Sequence, residues 1–277
     1  MYLLFNNQLV PEDEMLFYRH NRALQYNDGF FETIVVQEGS VRLWNYHLER
    51  IQKAASALKL ELDTQLLSKE FPDTILELAE QNLATPFARV KLKIWRSGAG
   101  LYTPETSKSD WILTAQPVAD FKSTDLDIGI CKTVTTSFTP FSFCKGPNSL
   151  LYVMAGVEKK ESHKQDMLLL DQQGHMAELT SSNIFWFTNN TLFTPPISTG
   201  CVQGIMRAYI LNWANRKGIK LREETGNVEI LRNSETVFAA NVFGVRPITR
   251  IEQSELPNTS SFLAQLQKNI NRIALDK

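Results

Sequence analysis

The sequence predicts a two-domain fold of mixed α+β and α/β character, and three observations predict it. The chain has 277 residues, a length that favours two medium domains over one large one. Helical and β-prone segments intermix along it without the regular strand–helix alternation of a doubly wound parallel sheet. A polar stretch, Val118 to Thr124, joins two better-patterned halves. Residues 1–118 are therefore read as a smaller N-terminal α/β domain, 119–123 as a linker and 124–277 as a larger C-terminal domain.

In the first half, Phe30 to Val36 is apolar and β-prone, and Glu38-Gly39-Ser40 turns it back into Val41 to Trp44. An amphipathic helix is expected from about Asn45 to Leu60, with Leu48, Ile51, Ala55 and Leu58 on one face and Asn45 as its N-cap. A second helix is expected over Leu66 to Gln81, with a break at Pro72 left open. Ala88 to Trp95 alternates Val90, Leu92 and Ile94 inward against Arg89, Lys91 and Lys93 outward, and Trp111 to Pro117 is the next strand. In the second half, strands are expected at Leu126 to Val134, Met167 to Leu170, Ile184 to Phe187, Thr191 to Phe193, Glu235 to Ala240 and Val245 to Thr249. Helices are expected over Ser149 to His163, Ile205 to Lys217 and after Asn258.

Composition narrows the function. Apolar residues make up 43% and charged residues 21%, and the formal net charge is −1. Nothing in that balance draws the chain to nucleic acid or an anionic membrane. Cys131, Cys144 and Cys201 show no C-x-x-C spacing, and the four histidines show no metal-ligand spacing, so neither a disulfide framework nor a metal site is expected. No apolar run reaches the roughly 18–20 residues of a membrane span, and the N-terminus lacks a signal-peptide pattern. A soluble cytoplasmic protein is expected. No Gly-x-Ser-x-Gly elbow or H-E-x-x-H is present, which disfavours serine and metal hydrolysis.

Several residues could carry chemistry. Lys145 lies in Phe143-Cys144-Lys145-Gly146-Pro147-Asn148, where Gly-Pro ends a strand. Desolvated among Phe141, Phe143 and Cys144, its amine would be nucleophilic enough to form a Schiff base; the ordinary reading is a loop lysine in water. Glu178 precedes Thr180-Ser181-Ser182-Asn183, either as a turn acid or as a carboxylate that keeps a pyridine nitrogen protonated. Gly204-Ile205-Met206 starts a helix whose first amides can hold a phosphate. His47 and Arg50 share a helix face, which is either solvated or turned to a phosphate. Asn241 is a capping amide or a phosphate donor. Gly98-Ala99-Gly100 is read as a tight turn rather than a phosphate loop, since the Walker lysine is missing.

In order along the chain, Asp28-Gly29-Phe30-Phe31-Glu32, His47-Leu48-Glu49-Arg50, Lys145-Gly146-Pro147-Asn148 and the segment Glu178 to Arg207 resemble the class IV aminotransferase family. The resemblance covers almost the whole chain. It implies a two-domain fold-type IV enzyme, like D-amino-acid aminotransferase, with pyridoxal 5′-phosphate (PLP) in the interdomain cleft, a small-molecule amine as substrate, and a homodimer. It makes Lys145 the Schiff-base lysine and proton shuttle, and Glu178 the partner of the pyridine nitrogen. Arg50, Asn183, Gly204, Ile205, Met206 and Asn241 become cofactor-binding residues. Phe31 and Leu150 stand where transaminases of the family have tyrosines. That departure, the Gly204 to Arg207 helix start and the run Arg96 to Tyr102 resemble the aminodeoxychorismate lyases, with Phe31, Arg96 and Tyr102 as substrate candidates. The resemblance therefore implies a lyase making 4-aminobenzoate and pyruvate in folate synthesis. The alternatives are a transaminase of branched-chain or D-amino acids and a PLP-binding protein without turnover.

Overall fold

The computed structural model describes residues 1–118, 124–147 and 149–273. The linker expected at 119–123 lies outside the described residues, as does Asn148. By contacts the described residues form two compact units, one of 1–118, 144–147 and 273, the other of 124–143 and 149–272. Lys145 thus groups with the first unit and not with the domain to which its sequence position assigned it. The reason is local: the Phe31 amide donates to the Lys145 carbonyl at 2.8 Å, and Gly146 lies against Gly29 and Phe30.

The first unit holds strands β1 (Tyr2–Phe5), β2 (Gln8–Pro11), β3 (Gly29–Gln37), β4 (Ser40–Val41), β5 (Phe87–Arg96) and β6 (Ser109–Pro117), with helices α1 (Arg22–Gln25), α2 (Trp44–Leu58) and α3 (Phe71–Gln81). The sheet runs β2-β1-β6-β5-β3-β4, and every pairing is antiparallel. Alternation on β5 is as the sequence predicts. Val90, Leu92 and Ile94 are buried, Arg89 and Lys91 are exposed, and Lys93 is half-buried. Helix α3 lays Phe71, Ile75, Leu78 and Ala79 inward against this sheet. The expected helix over Leu66 to Gln81 is in fact a 3-10 turn, Thr64–Leu67, followed by α3. Pro72 opens α3 and does not break it, because a first-turn proline lacks only an N–H that would have no partner there. Asn45 is inside α2 and does not cap it; Leu43 precedes the helix in a left-handed conformation, φ 55°. The β1–β2 hairpin was not anticipated. Its turn is Asn6-Asn7, both at positive φ, the geometry two-residue hairpin loops require.

The second unit holds β7 (Leu126–Ile130), β8 (Asp166–Leu170), β9 (Met176–Leu179), β10 (Asn183–Thr188), β11 (Thr191–Thr194), β12 (Lys220–Glu223), β13 (Thr236–Asn241), β14 (Gly244–Ile251) and β15 (Ser254–Glu255). Its helices are α4 (Ser149–Glu161), α5 (Ile205–Arg216), α6 (Glu229–Arg232) and α7 (Phe262–Ile270). The sheet runs β12-β11-β10-β13-β14-β7-β8-β9, with β15 on β14. It is mixed: β7–β8, β7–β14 and β11–β12 are parallel. The strand expected to reach Val134 stops at Ile130 because Glu158 of α4 takes the amides of Lys132 and Thr133. Short β9 and β12 were not anticipated. One side of the sheet carries an aromatic core. Phe185 stacks on Phe238 at 5.1 Å, Phe187 on Phe262 at 4.2 Å, and Trp213 meets Phe262 edge-on. Among the described residues no helix is long and apolar enough to cross a membrane.

Phe238 is fully buried on a central strand of this core. Phe238→Ala is expected to destabilise the second unit by about 3–5 kcal/mol, from lost transfer energy and the cavity left behind. A urea melt followed by far-UV circular dichroism checks it; a midpoint unchanged from wild type would contradict this packing.

Candidate active site

In the first unit the site is built around a carboxylate inside an apolar strand. Glu32 sits in the middle of β3 and is 1% exposed. Helix α2 places His47 and Arg50 one turn apart, and both face the sheet. Arg50 grips Glu32 with a fork: Nε donates to Oε1 at 2.8 Å and Nη2 to Oε2 at 2.6 Å. His47 Nδ1 lies 2.6 Å from Glu32 Oε2. Burial works to raise the Glu32 pKa, but the Arg50 charge and the His47 and Arg50 hydrogen bonds outweigh it and hold the carboxyl at about 2. Burial pushes His47 down, against the pull of Glu32; the positive charges of Arg50 and Lys145 add to the lowering. Glu32 is therefore ionised and His47 neutral, so Nδ1 carries the imidazole proton and donates it to Glu32. Among the described residues the buried Nε2 has no hydrogen-bond partner. The solvated reading of the His47–Arg50 face is thus overturned, since both side chains are buried.

Lys145 follows the buried Cys144 and is itself half-buried. Gly146 is at φ +134°, and a Cβ there would come within 2.8 Å of the Phe30 Cα. Only glycine lets the lysine loop lie this close to β3. Asn27 Nδ2 donates to the Gly146 carbonyl at 2.6 Å. Phe31 lies in the same place, with the Lys91 ammonium 4.6 Å from its ring centre.

In the second unit Glu178 is on β9, not in a turn, and is 3% exposed. Its Oε1 accepts from Tyr152 Oη at 2.7 Å and from the Val202 amide at 3.0 Å. Asn183 Nδ2 lies 3.4 Å from Oε2 and donates to the Val202 carbonyl at 2.8 Å. Asn183 thus ties Glu178 to the loop before α5. That loop ends at Gly204, where a Cβ would sit 2.1 Å from Asn183 Oδ1. Helix α5 starts at Ile205 with no side chain capping it, so its first-turn amides and the positive end of its dipole suit an anion.

Other candidates are placed differently. Arg96 is turned inward: Nε donates to Asp28 at 3.1 Å, Nη1 to the Lys59 carbonyl at 3.1 Å and Nη2 to the Leu58 carbonyl at 2.7 Å. It closes the C-terminus of α2, where carbonyls lack helical partners and a cation is favoured, and is not a substrate-facing arginine. Arg22 also binds Asp28, at 2.7 Å, and donates to the carbonyls of Ala99, Gly100 and Leu101. The Gly98 to Gly100 loop therefore turns carbonyls to a cation, the reverse of a phosphate loop. Tyr102 is 91% exposed, its ring 5.6 Å from that of Tyr26. Asn241 takes the capping role: Oδ1 accepts from the Phe243 amide and Nδ2 donates to Ser182. Burial raises the Cys144 thiol to about 11 and the Cys201 thiol to about 12, so neither supplies a thiolate at neutral pH. Among the described residues no cluster of three or more metal-ligating side chains occurs.

Sequence reasoning missed Glu32 and Tyr152. A lone acid inside Phe30 to Val36 was a usable signal for Glu32. Tyr152 gave none, since its link to Glu178 spans 26 residues.

The model of the family described as "Amino-transferase class IV" matches residues 29–251. An aminodeoxychorismate lyase of Vibrio harveyi is 26% identical over 246 residues, covering 85% of this chain and 87% of its own. A branched-chain-amino-acid aminotransferase of Salmonella typhimurium is 25% identical over 274 residues, 92% of this chain and 87% of its own. Among solved structures, the 4-amino-4-deoxychorismate lyase of Pseudomonas aeruginosa superposes with a TM-score of 0.85 at 25% identity, covering 99% of this chain and all of the other. The branched-chain aminotransferase of Thermoproteus uzoniensis gives 0.88 at 21% identity, covering 99% and 95%.

Acid should act on the Glu32 cluster in one direction. The Glu32 pKa falls on folding from 4.5 to about 2, so its stabilisation is present above 4.5 and is lost as pH falls toward 2. His47, also lowered on folding from 6.5, adds an acid-side loss that begins higher. Glu32→Gln is expected to flatten the fall in stability between pH 4.5 and 2. Thermal melts across that range check it, and an unchanged slope would refute the ionised, clamped carboxylate.

Proposed function

The chain belongs to the class IV amino-transferase family, and on that premise we propose that it is a PLP-dependent lyase converting 4-amino-4-deoxychorismate to 4-aminobenzoate and pyruvate, which would place it in folate synthesis. The family is PLP-dependent and acts on small molecules. One observation carries the choice of lyase. The two positions at which transaminases of the family carry a tyrosine hold Phe31 and Leu150, and Leu150 is 72% exposed on α4. Neither position offers a phenol to the cofactor. The lyases of Vibrio harveyi and Pseudomonas aeruginosa support the same choice.

The residues fit the cofactor. Glu178 is a buried carboxylate, suited to a protonated ring nitrogen. The uncapped start of α5 presents amides for a phosphate, and Arg50 brings a guanidinium. Asn183 and Asn241 act one step back, holding Glu178 and the turn after β13. When bound, PLP supplies an electron sink for the charge that develops at the amine-bearing carbon. Lys145 Nζ would hold the cofactor and would remove the proton from that carbon. Glu178 would hold the proton on the ring nitrogen. The Ile205 and Met206 amides would donate to the phosphate, and Arg50 is assigned the same role. Breaking the substrate's ether bond releases enolpyruvate, which takes up a proton to become pyruvate, and the ring left behind is aromatic. The lysine is asked for ordinary acid–base help, roughly 10²–10⁴-fold. A homodimer is proposed from the family resemblance. Transamination is the second reading, because branched-chain aminotransferases match at similar identity.

Purified protein incubated with aminodeoxychorismate is expected to form 4-aminobenzoate and pyruvate in equal amounts. Rapid transfer of the amino group from leucine or D-alanine to 2-oxoglutarate, with no 4-aminobenzoate formed, would sink the lyase reading. Lys145→Ala should lose the visible absorbance of lysine-bound cofactor, at about 410–430 nm. A band that persists in this variant would remove Lys145 from its role.

A further inference from the structure

We propose that Glu32 and His47 are positioning residues that hold the Arg50 guanidinium in one orientation and so set the affinity for the cofactor's phosphate. This rests on the reading of Arg50 as a phosphate ligand. Glu32 engages Arg50 along a single edge, Nε and Nη2, at 2.8 and 2.6 Å. Two parallel bonds between planar groups fix the plane of the guanidinium as well as its position.

His47 closes the other side of the clamp. Its Nδ1–H donates to the same Oε2 that Arg50 Nη2 reaches, so the carboxylate cannot turn about its own bond without losing two partners. Both supporting residues come from rigid elements, the central part of β3 and the first turns of α2, and both are almost fully buried. The histidine stays neutral, because burial lowers its pKa. It therefore steadies Glu32 without adding a further cation beside Arg50. An arginine free to sample its rotamers loses side-chain entropy when it is ordered. Here that ordering occurs on folding rather than on ligand binding, which is what preorganisation means for affinity. The charge of Lys145 is felt at His47, so the clamp belongs to the same neighbourhood as the lysine.

The test compares PLP with pyridoxal, which has the same ring and aldehyde but no phosphate. Apo-protein is titrated with each, following visible absorbance. Wild type is expected to prefer PLP strongly. Glu32→Gln should weaken PLP by roughly 10- to 100-fold, the usual loss for a hydrogen bond to a charged group, and leave pyridoxal nearly unchanged. His47→Gln should move the same ratio by less. On an Arg50→Lys background, Glu32→Gln should no longer change the ratio, since lysine cannot take the fork. Should Glu32→Gln fail to fold, the His47→Gln and Arg50→Lys pair supplies the same cycle. Equal loss of PLP and pyridoxal, or an unchanged ratio in every variant, overturns the positioning role. A wild type that binds both alike removes Arg50 from the phosphate, and the inference falls with it. A wild type that binds neither overturns the proposed function itself.

Discussion

Burying a carboxylate is the constraint on which the site in each unit depends. An ionised acid out of water is costly unless donors meet its oxygens. Glu32 and Glu178 are 1% and 3% exposed, and both are met. Glu32 takes a guanidinium fork and an imidazole from α2, so the burial of one acid fixes where that helix lies on β3. Glu178 takes a phenol from α4 and an amide from the loop before α5, so a second acid fixes the start of a helix. In both cases the donors are directional, and each that is removed weakens the hold on a charge kept in a dry place.

The arginines divide along the same line. Arg22, Arg96 and Arg207 bind carbonyls as well as an acid, and they close the loop after β5, the end of α2 and the strand end at Pro195. Their role is to satisfy backbone groups that lack partners at the ends of elements. Arg50 bonds a strand acid and stands in the neighbourhood of Lys145. That difference separates an arginine that clamps a strand acid from three that hold the frame. The thiols beside these groups are raised by burial and stay protonated at neutral pH.

Several of the candidate residues were legible before the fold. Lys145 beside Gly-Pro, Glu178 before a hydroxyl-rich turn and Gly204 before an apolar helix are local patterns, and local patterns are what a sequence displays. Arg96 became a substrate candidate through the resemblance of the run Arg96 to Tyr102, and only the folded chain brings the carbonyls of Leu58 and Lys59 to it. Pro72 was ambiguous because a proline that opens a helix and one that breaks it differ only in what precedes them.

By itself, the sequence determined most of the longer elements, the alternation on β5 and the order of the motifs, because periodicity and turn chemistry act over a few residues. Only the tertiary structure decided which acids are buried and who partners them. The bonds that settle it join Glu32 to Arg50 across 18 residues, Tyr152 to Glu178 across 26 and Arg22 to Leu101 across 79. Separations of that kind leave no periodic trace. Desolvation, which turns a surface ion pair into a clamp, exists only once the chain has closed around it.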